Sequence, residues 1–458
     1  MLFLRMTAQI VEQENTRMSR ESSLRASILD GIFASIMMGF TVNYTTPFAV
    51  LIGANNFFIG LLNSIPQLFG SFVQLKSADI VKKIKSRVKS ISWSVFLQAS
   101  TYLVISLFFL ISKKSQVEIF ILLITINTVF GCVATPAWAS LMSDTVEKNK
   151  YGEYFSWRGK VLGFVSLASS FVAGFFLFVF PNKFLGFIIL FFLAGICRFI
   201  SGIYLSKMDD IPVETLPNRD FSYFQFIRRF SESNFVKFTL FVSLMNFATF
   251  LAAPFFAVYM LDTLKFKYST YTIITSAGAI AGLISLPFWG KFADRYGNVK
   301  IIKASAKLIP LMPIFWLFTK NPFILTVVNA FAGYIWTGFN LCIVNFIFDA
   351  TSSDVRTRCV GYFNFTNGFF IFLGSLIGGW LAMHLPEFIF NSSLLTLFLV
   401  SGLARVLVNI FLLNSFNEVR EAEKIEDREL LYIITGLIPV LSLGEEVFYR
   451  KKGQFDIL

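Results

Sequence analysis

Charge is scarce in this 458-residue chain, with 15% Asp, Glu, Lys and Arg, against about a quarter in soluble domains. A surface so poor in charge excludes an ordinary water-soluble fold. Cysteine is scarce too. Cys132, Cys197, Cys342 and Cys359 show no paired spacing, which argues against a disulfide framework or a zinc site. The single histidine, His384, argues against a metal centre. No glycine-rich phosphate loop is present, so direct ATP use is not expected. No apolar run precedes residue 28, and no cleavable leader is read. The apolar runs lack a mid-membrane Asp or Glu of the proton-relaying kind, Asp30 being the nearest. They also lack the paired acids or Ser/His pair that an intramembrane enzyme would need. The chain is therefore not read as an enzyme, and no cofactor is expected.

What is present is apolar length. Apolar residues make up 55% of the chain and the mean hydropathy is +0.67. Runs of about 20 apolar residues can cross a bilayer as helices. Helices rather than barrel strands are expected, because 58 Phe and few alternating polar positions do not suit a barrel. Twelve spans are predicted: 27–49, 55–75, 90–111, 117–141, 159–180 and 184–206, then 236–261, 269–290, 299–319, 322–348, 359–383 and 388–413. The organisation read from this is a cytoplasmic N-terminal tail (1–26), a six-helix bundle (27–206), a cytoplasmic linker (207–234), a second six-helix bundle (235–413) and a cytoplasmic tail (414–458). Within the tail, residues 430–443 are too short to span and read as an interfacial or packed helix.

The loops set the orientation. Lys76, Lys82, Lys83, Lys85, Arg87, Lys89, Lys300, Lys303 and Lys307 fall on one side, whereas Lys113, Lys114, Lys183, Lys265, Lys267 and Lys320 fall on the other. The richer side is expected to be cytoplasmic, placing both termini inside the cell membrane. A net charge of +12 then reflects basic loops rather than a nucleic-acid partner. The halves repeat. Pro47-Phe-Ala-Val matches Pro254-Phe-Phe-Ala-Val, and Ala194-Gly-Ile-Cys-Arg198 matches Ser401-Gly-Leu-Ala-Arg405, each 207 residues apart. Such a constant offset argues for two copies of one six-helix unit.

Between the eighth and ninth spans lies Gly290-Lys-Phe-Ala-Asp294-Arg295-Tyr-Gly297. Gly-x-x-x-Asp-Arg-x-Gly in this setting resembles the cytoplasmic loop signature of the major facilitator superfamily of membrane transporters. The run Pro136 to Asp144, with Tyr154 to Arg158 after it, resembles bacterial members of unassigned substrate. The resemblance implies an all-α integral membrane fold of twelve helices in two pseudo-symmetric bundles. It also implies a transporter or facilitator that moves a small molecule by alternating access. A non-transporting receptor or scaffold of the same fold is the alternative. The partners expected are a small-molecule substrate, the lipid bilayer and a coupling proton or sodium ion; the chain reads as a monomer.

Three groups of residues are singled out. In the loop signature, Gly290 is expected to let helices approach, Asp294 to accept hydrogen bonds from a helix N-terminus, and Gly297 to permit the reversal. Arg295 is expected to pair with Asp349. In the degenerate first-half copy, Asp79 remains, and Asp144 is expected to meet Lys82, Lys83 or Arg158. Such pairs would hold the cytoplasmic side shut and break on opening. Arg198 and Arg405 lie about nine residues, roughly 13 Å, from the ends of their spans. With Asp30 they are intramembrane charges that form a buried pair, bind an anion or only anchor their helices. Finally, the superfamily's cavity is lined by the first and fourth helices of each half. That singles out Asn43, Asn127, Asn246, Trp336 and Asn340 among amides and aromatics that otherwise join helices.

Overall fold

The computed structural model describes residues 2–84, 86–112, 116–146, 151–210, 222–229, 232–351, 356–387 and 391–423, with 425, 426, 429, 430 and 434 beyond them. No strand occurs among the described residues. The first bundle holds α1 (Leu2–Thr41), α2 (Thr45–Leu51), α3 (Asn56–Ile84), α4 (Arg87–Ser112), α5 (Val117–Thr145), α6 (Tyr151–Val179) and α7 (Lys183–Leu205). A short linker helix, α8 (Tyr223–Arg228), precedes the second bundle. That bundle holds α9 (Asn234–Phe250), α10 (Phe255–Val258) with a π-helical turn at Tyr259–Thr263, and α11 (Tyr268–Tyr296). It continues through α12 (Asn298–Leu308), α13 (Leu311–Phe315), α14 (Pro322–Asp349), α15 (Arg356–His384) and α16 (Ser393–Leu412). Polar caps start several of these helices at the short turns. Asn182, Ser233, Asn321 and Ser392 each accept a backbone N–H of the first turn.

Among the described residues eleven helices are long and apolar enough to cross a membrane, and the remaining predicted span, the ninth, is present as a broken helix. Its stretch, 299–319, is divided into α12 and α13 around Pro310, and Pro313 follows within α13. Proline lacks the N–H that continues a helix and clashes with the preceding turn. The N-terminal stretch also differs from expectation, since α1 begins at Leu2 and runs into the first span without interruption. Of the predicted tail helix, Leu430 and Ile434 are buried against the second bundle; the rest lies outside the described residues.

The bundles meet along two seams, α3 with α15 and α6 with α11. Small residues let backbones close up. A Cβ at Gly60 would meet the Ser375 carbonyl and Gly379 across the first seam, and one at Gly333 would run into the Gly278 carbonyl between α14 and α11. The apolar cores are distributed unequally along the membrane axis. At the face opposite the loop signature, one core is shared: Phe48, Phe109, Phe187 and Phe191 of the first bundle join Phe255, Tyr259 and Tyr271 of the second. At the signature face the cores are separate, Val88, Leu141, Met142 and Leu205 in one bundle and Phe238, Trp289, Phe346 and Phe416 in the other.

Candidate functional site

A cavity of about 540 Å³ lies midway along the helices, lined by α1, α6, α11 and α14. Its polar lining comes from Asn43, Ser166, Ser170, Ser276, Thr337 and Asn340, its flat apolar wall from Trp336, and no charged side chain faces it. Asn43 donates to Ser170 Oγ at 3.2 Å, while the buried Ser276 hydroxyl has no protein partner. Of the predicted cavity residues, Asn43, Trp336 and Asn340 are brought together. Asn127 is not: it is buried inside the first bundle, donating to Thr101 Oγ1 at 2.6 Å and to the Gln98 carbonyl at 3.0 Å. Asn246 is not either, since its amide joins α9 to α15 through Asn367 at 2.7 Å. The lining helices are the first and fifth of one half and the second and fourth of the other.

Hydroxyl groups seal the cavity's end away from the loop signature. Tyr44 donates to the Ser170 carbonyl at 2.7 Å and shares a hydrogen bond of 2.7 Å with Thr272 of the other bundle. Tyr271 donates to the Asn43 carbonyl at 2.8 Å. The reason that carbonyl is available lies in the sequence: its helical partner would be the N–H of residue 47, which is proline. Sequence reasoning missed this seal. The signal was there in Pro47, which frees a carbonyl four residues back, and in the Tyr-Thr pair at 271–272.

The intramembrane charges occupy two different settings. In the first bundle they form one connected network. Asp30, 4% exposed, accepts from Ser201 at 2.6 Å and lies 3.7 Å from the Arg158 guanidinium. Arg198 donates to Ser201 Oγ at 3.1 Å and to Gln98 Oε1 at 2.7 Å; Gln98 continues to Asn127 at 3.3 Å. Arg158 also donates to the Ser27 carbonyl at 3.0 Å and stacks 4.5 Å over the Trp138 ring. A charge in the membrane is tolerated when it is paired, and here one carboxylate serves two guanidinium groups. Arg158 was expected near Asp144; burial against α1 places it on Asp30 instead.

Arg405, 2% exposed, has no carboxylate in its hydrogen-bonding reach among the described residues. It donates to the Ile309 carbonyl at 3.1 Å, and one turn along α16 Asn409 donates to the Ala306 carbonyl at 2.6 Å. These carbonyls stand four residues before Pro313 and Pro310, which have no N–H to give them. Met312 supplies a second donor to Ile309 at 3.3 Å. Arg405 is thus a patch on a broken helix, and unlike Arg198 it joins no network around an acid among the described residues.

The sequence model of the Major Facilitator Superfamily matches residues 238–449, and solved transporters share the fold across both bundles. A crystal structure of a mutant of the nucleoside transporter NupG superposes with TM-score 0.68 at 15% identity, covering 86% of this chain and 100% of that one. The D-xylose–proton symporter gives 0.66 at 12%, covering 88% and 99%. A bacterial homologue of the iron transporter ferroportin, in its inward-facing state, gives 0.60 at 13%, covering 85% and 97%. The second half of the chain thus matches the major facilitator superfamily, and the fold of both halves is that of these solved transporters. These similarities support a membrane transporter and do not favour the receptor or scaffold alternative. Among curated protein sequences none matches it.

The superfamily's loop signature is present in the second bundle, but its side chains are partnered otherwise than predicted. Gly297 makes the reversal with φ of 88°, a conformation that glycine adopts without strain. Gly290 does not serve close approach: a Cβ there would meet nothing within 4 Å. Arg295 pairs with Glu423 at 2.7 Å, not with Asp349. Asp349 accepts from Asn298 at 2.7 Å and lies 3.9 Å from Arg420. Asp294 caps no helix; it lies 3.8 Å from the same Arg420, and the first turn of α12 is capped by Glu418, which accepts the Val299 N–H at 2.8 Å. In the first bundle Asp144 pairs with the buried Arg87 at 2.7 Å. The side chains of Asp79, Lys82 and Lys83 lie outside the described residues. Each of these ion pairs stays within one bundle and its adjoining tail.

Proposed function

We propose that this transporter carries an uncharged small molecule, with a flat apolar face and a hydrogen-bonding edge, through the cavity between its bundles by alternating access. The observation that carries the reading is a mid-membrane cavity with hydroxyls, amides and one indole but no charge on its walls, sealed at one end only. An ionic solute would leave its charge uncompensated there, whereas a neutral ring can stack on Trp336 and bond to Asn43, Ser276 and Asn340. The volume suits a small solute. Two of the similar structures are a nucleoside transporter and a D-xylose–proton symporter, whose solutes are of this class. The basic loops on the signature face favour that face as cytoplasmic. The state described, sealed between Tyr44 and Thr272 and separate-cored at the signature face, is then inward-open. Rocking would break the Tyr44 and Tyr271 bonds and bring the signature faces together. Flux into proteoliposomes, measured for matched neutral and charged analogues of one solute series, tests this. Neutral members should be carried, and Trp336→Ala should raise the half-saturating concentration. Preference for the charged member would overturn the reading.

A further inference from the structure

The segment after α16 closes over the loop signature. Phe416, fully buried in the second bundle's core, fixes its start. Beyond it Glu418 takes the Val299 N–H, Arg420 donates to the Ala293 carbonyl and faces both Asp294 and Asp349, and Glu423 takes Arg295. The Glu423 N–H also donates to the Arg295 carbonyl at 3.0 Å. Asp294 and Arg295 of the signature, and Asp349 beside them, are therefore all met by one short stretch of chain. The first bundle shows why this is needed. Its acid at the equivalent helix end, Asp144, meets Arg87 from the start of α4. In the second bundle the start of α12 offers Asp349 the neutral Asn298. Among the described residues, the cation beside Asp349 comes from the tail.

We propose that residues 418–423 form a detachable strap that holds the second bundle's signature loop for itself and so favours the state in which the signature face is open. While strapped, Asp294, Arg295 and Asp349 are committed within one bundle and have no free charge with which to engage the first. The contacts suit release. Arg295 and Glu423 are 36% and 61% exposed, Asp294 is 79% exposed, and Arg420 stands 3.8–3.9 Å from its two acids. Exposed pairs of this kind are individually weak and screened by salt. The inference rests on the rocking motion proposed above.

The test is a distance distribution between spin labels on the full-length protein in lipid. Exposed Lys160 of α6 and Lys291 of α11 are replaced by cysteine in a background without the native cysteines. Arg420→Gln and Glu423→Gln should each raise the ratio of short to long distances roughly two- to fivefold, in line with the loss of one exposed pair. High salt should act likewise on the parent. The swap Arg295→Glu with Glu423→Arg should return the ratio toward the parent's, which a folding defect would not. Two populations whose ratio ignores all of these changes overturn the strap. A single unchanging population, in the presence and absence of a transported solute, overturns the rocking motion with it.

Discussion

Arg198 and Arg405 occupy the same place in two copies of one sequence unit, yet they do different work. Arg198 belongs to a charge network around Asp30 that joins α1, α4, α6 and α7. Arg405 donates a hydrogen bond to a backbone carbonyl that a proline has stranded. The surroundings explain the difference. The third helix of the first half, α4, runs unbroken from Arg87 to Ser112, so no carbonyl is left for Arg198 to serve. Its counterpart in the second half is interrupted by Pro310 and Pro313, and α16 supplies both replacement donors. A residue kept by duplication keeps its position; its partner decides what it does. The same rule covers the seal, where Pro47 strands the Asn43 carbonyl and Tyr271 of the opposite bundle answers it.

The comparison can be broken most sharply at Asp30. Asp30→Asn leaves two buried guanidinium groups without an acid and should lower stability by about 3–5 kcal/mol, read from denaturation of the purified protein. No equivalent substitution near Arg405 should approach this, because no acid balances it. Next comes Asn409→Leu, which strands the Ala306 carbonyl and should cost about 1–3 kcal/mol. Pro310→Ala restores an N–H at that position, so the cost of Asn409→Leu should shrink by at least half in that background. A cost that is the same in both backgrounds would show that Asn409 does not serve the helix break. The smallest effect is at the seal. Tyr271→Phe removes one inter-bundle hydrogen bond of about 1 kcal/mol, and should raise reagent access to the cavity from the far face roughly fivefold.

How much of this was legible beforehand varies with the kind of signal. Apolar length located the spans to within a few residues, and the 207-residue repeat gave the two bundles. Pro310 and Pro313 were visible in the sequence, but apolar length alone carried the prediction of a ninth span, and the break went unread. For the site, Asn43, Trp336 and Asn340 could be picked because amides and indoles deep in apolar runs need a reason to be there. Asn127 and Asn246 satisfy the same criterion but stand away from this cavity, since an amide that joins two helices looks identical in one dimension. Ser276 gave no warning, because a lone serine in an apolar run is usually silent, its hydroxyl hiding easily against its own helix backbone. The pairing of Arg295 was misread for a different reason. Its partner, Glu423, lies 128 residues away in a tail that no periodicity connects to the loop.

The central claim is that one cavity is reached from one face at a time. Ser276→Cys, in a background without native cysteines, reports on it directly when labelled with membrane-impermeant maleimide added to either face of sealed vesicles. Without solute, the cysteine should react from the signature face and be protected from the other. Adding a transported solute should make it reactive from the far face while its near-face labelling falls. Equal and simultaneous reactivity from both faces would mean an open pore, and would contradict the account.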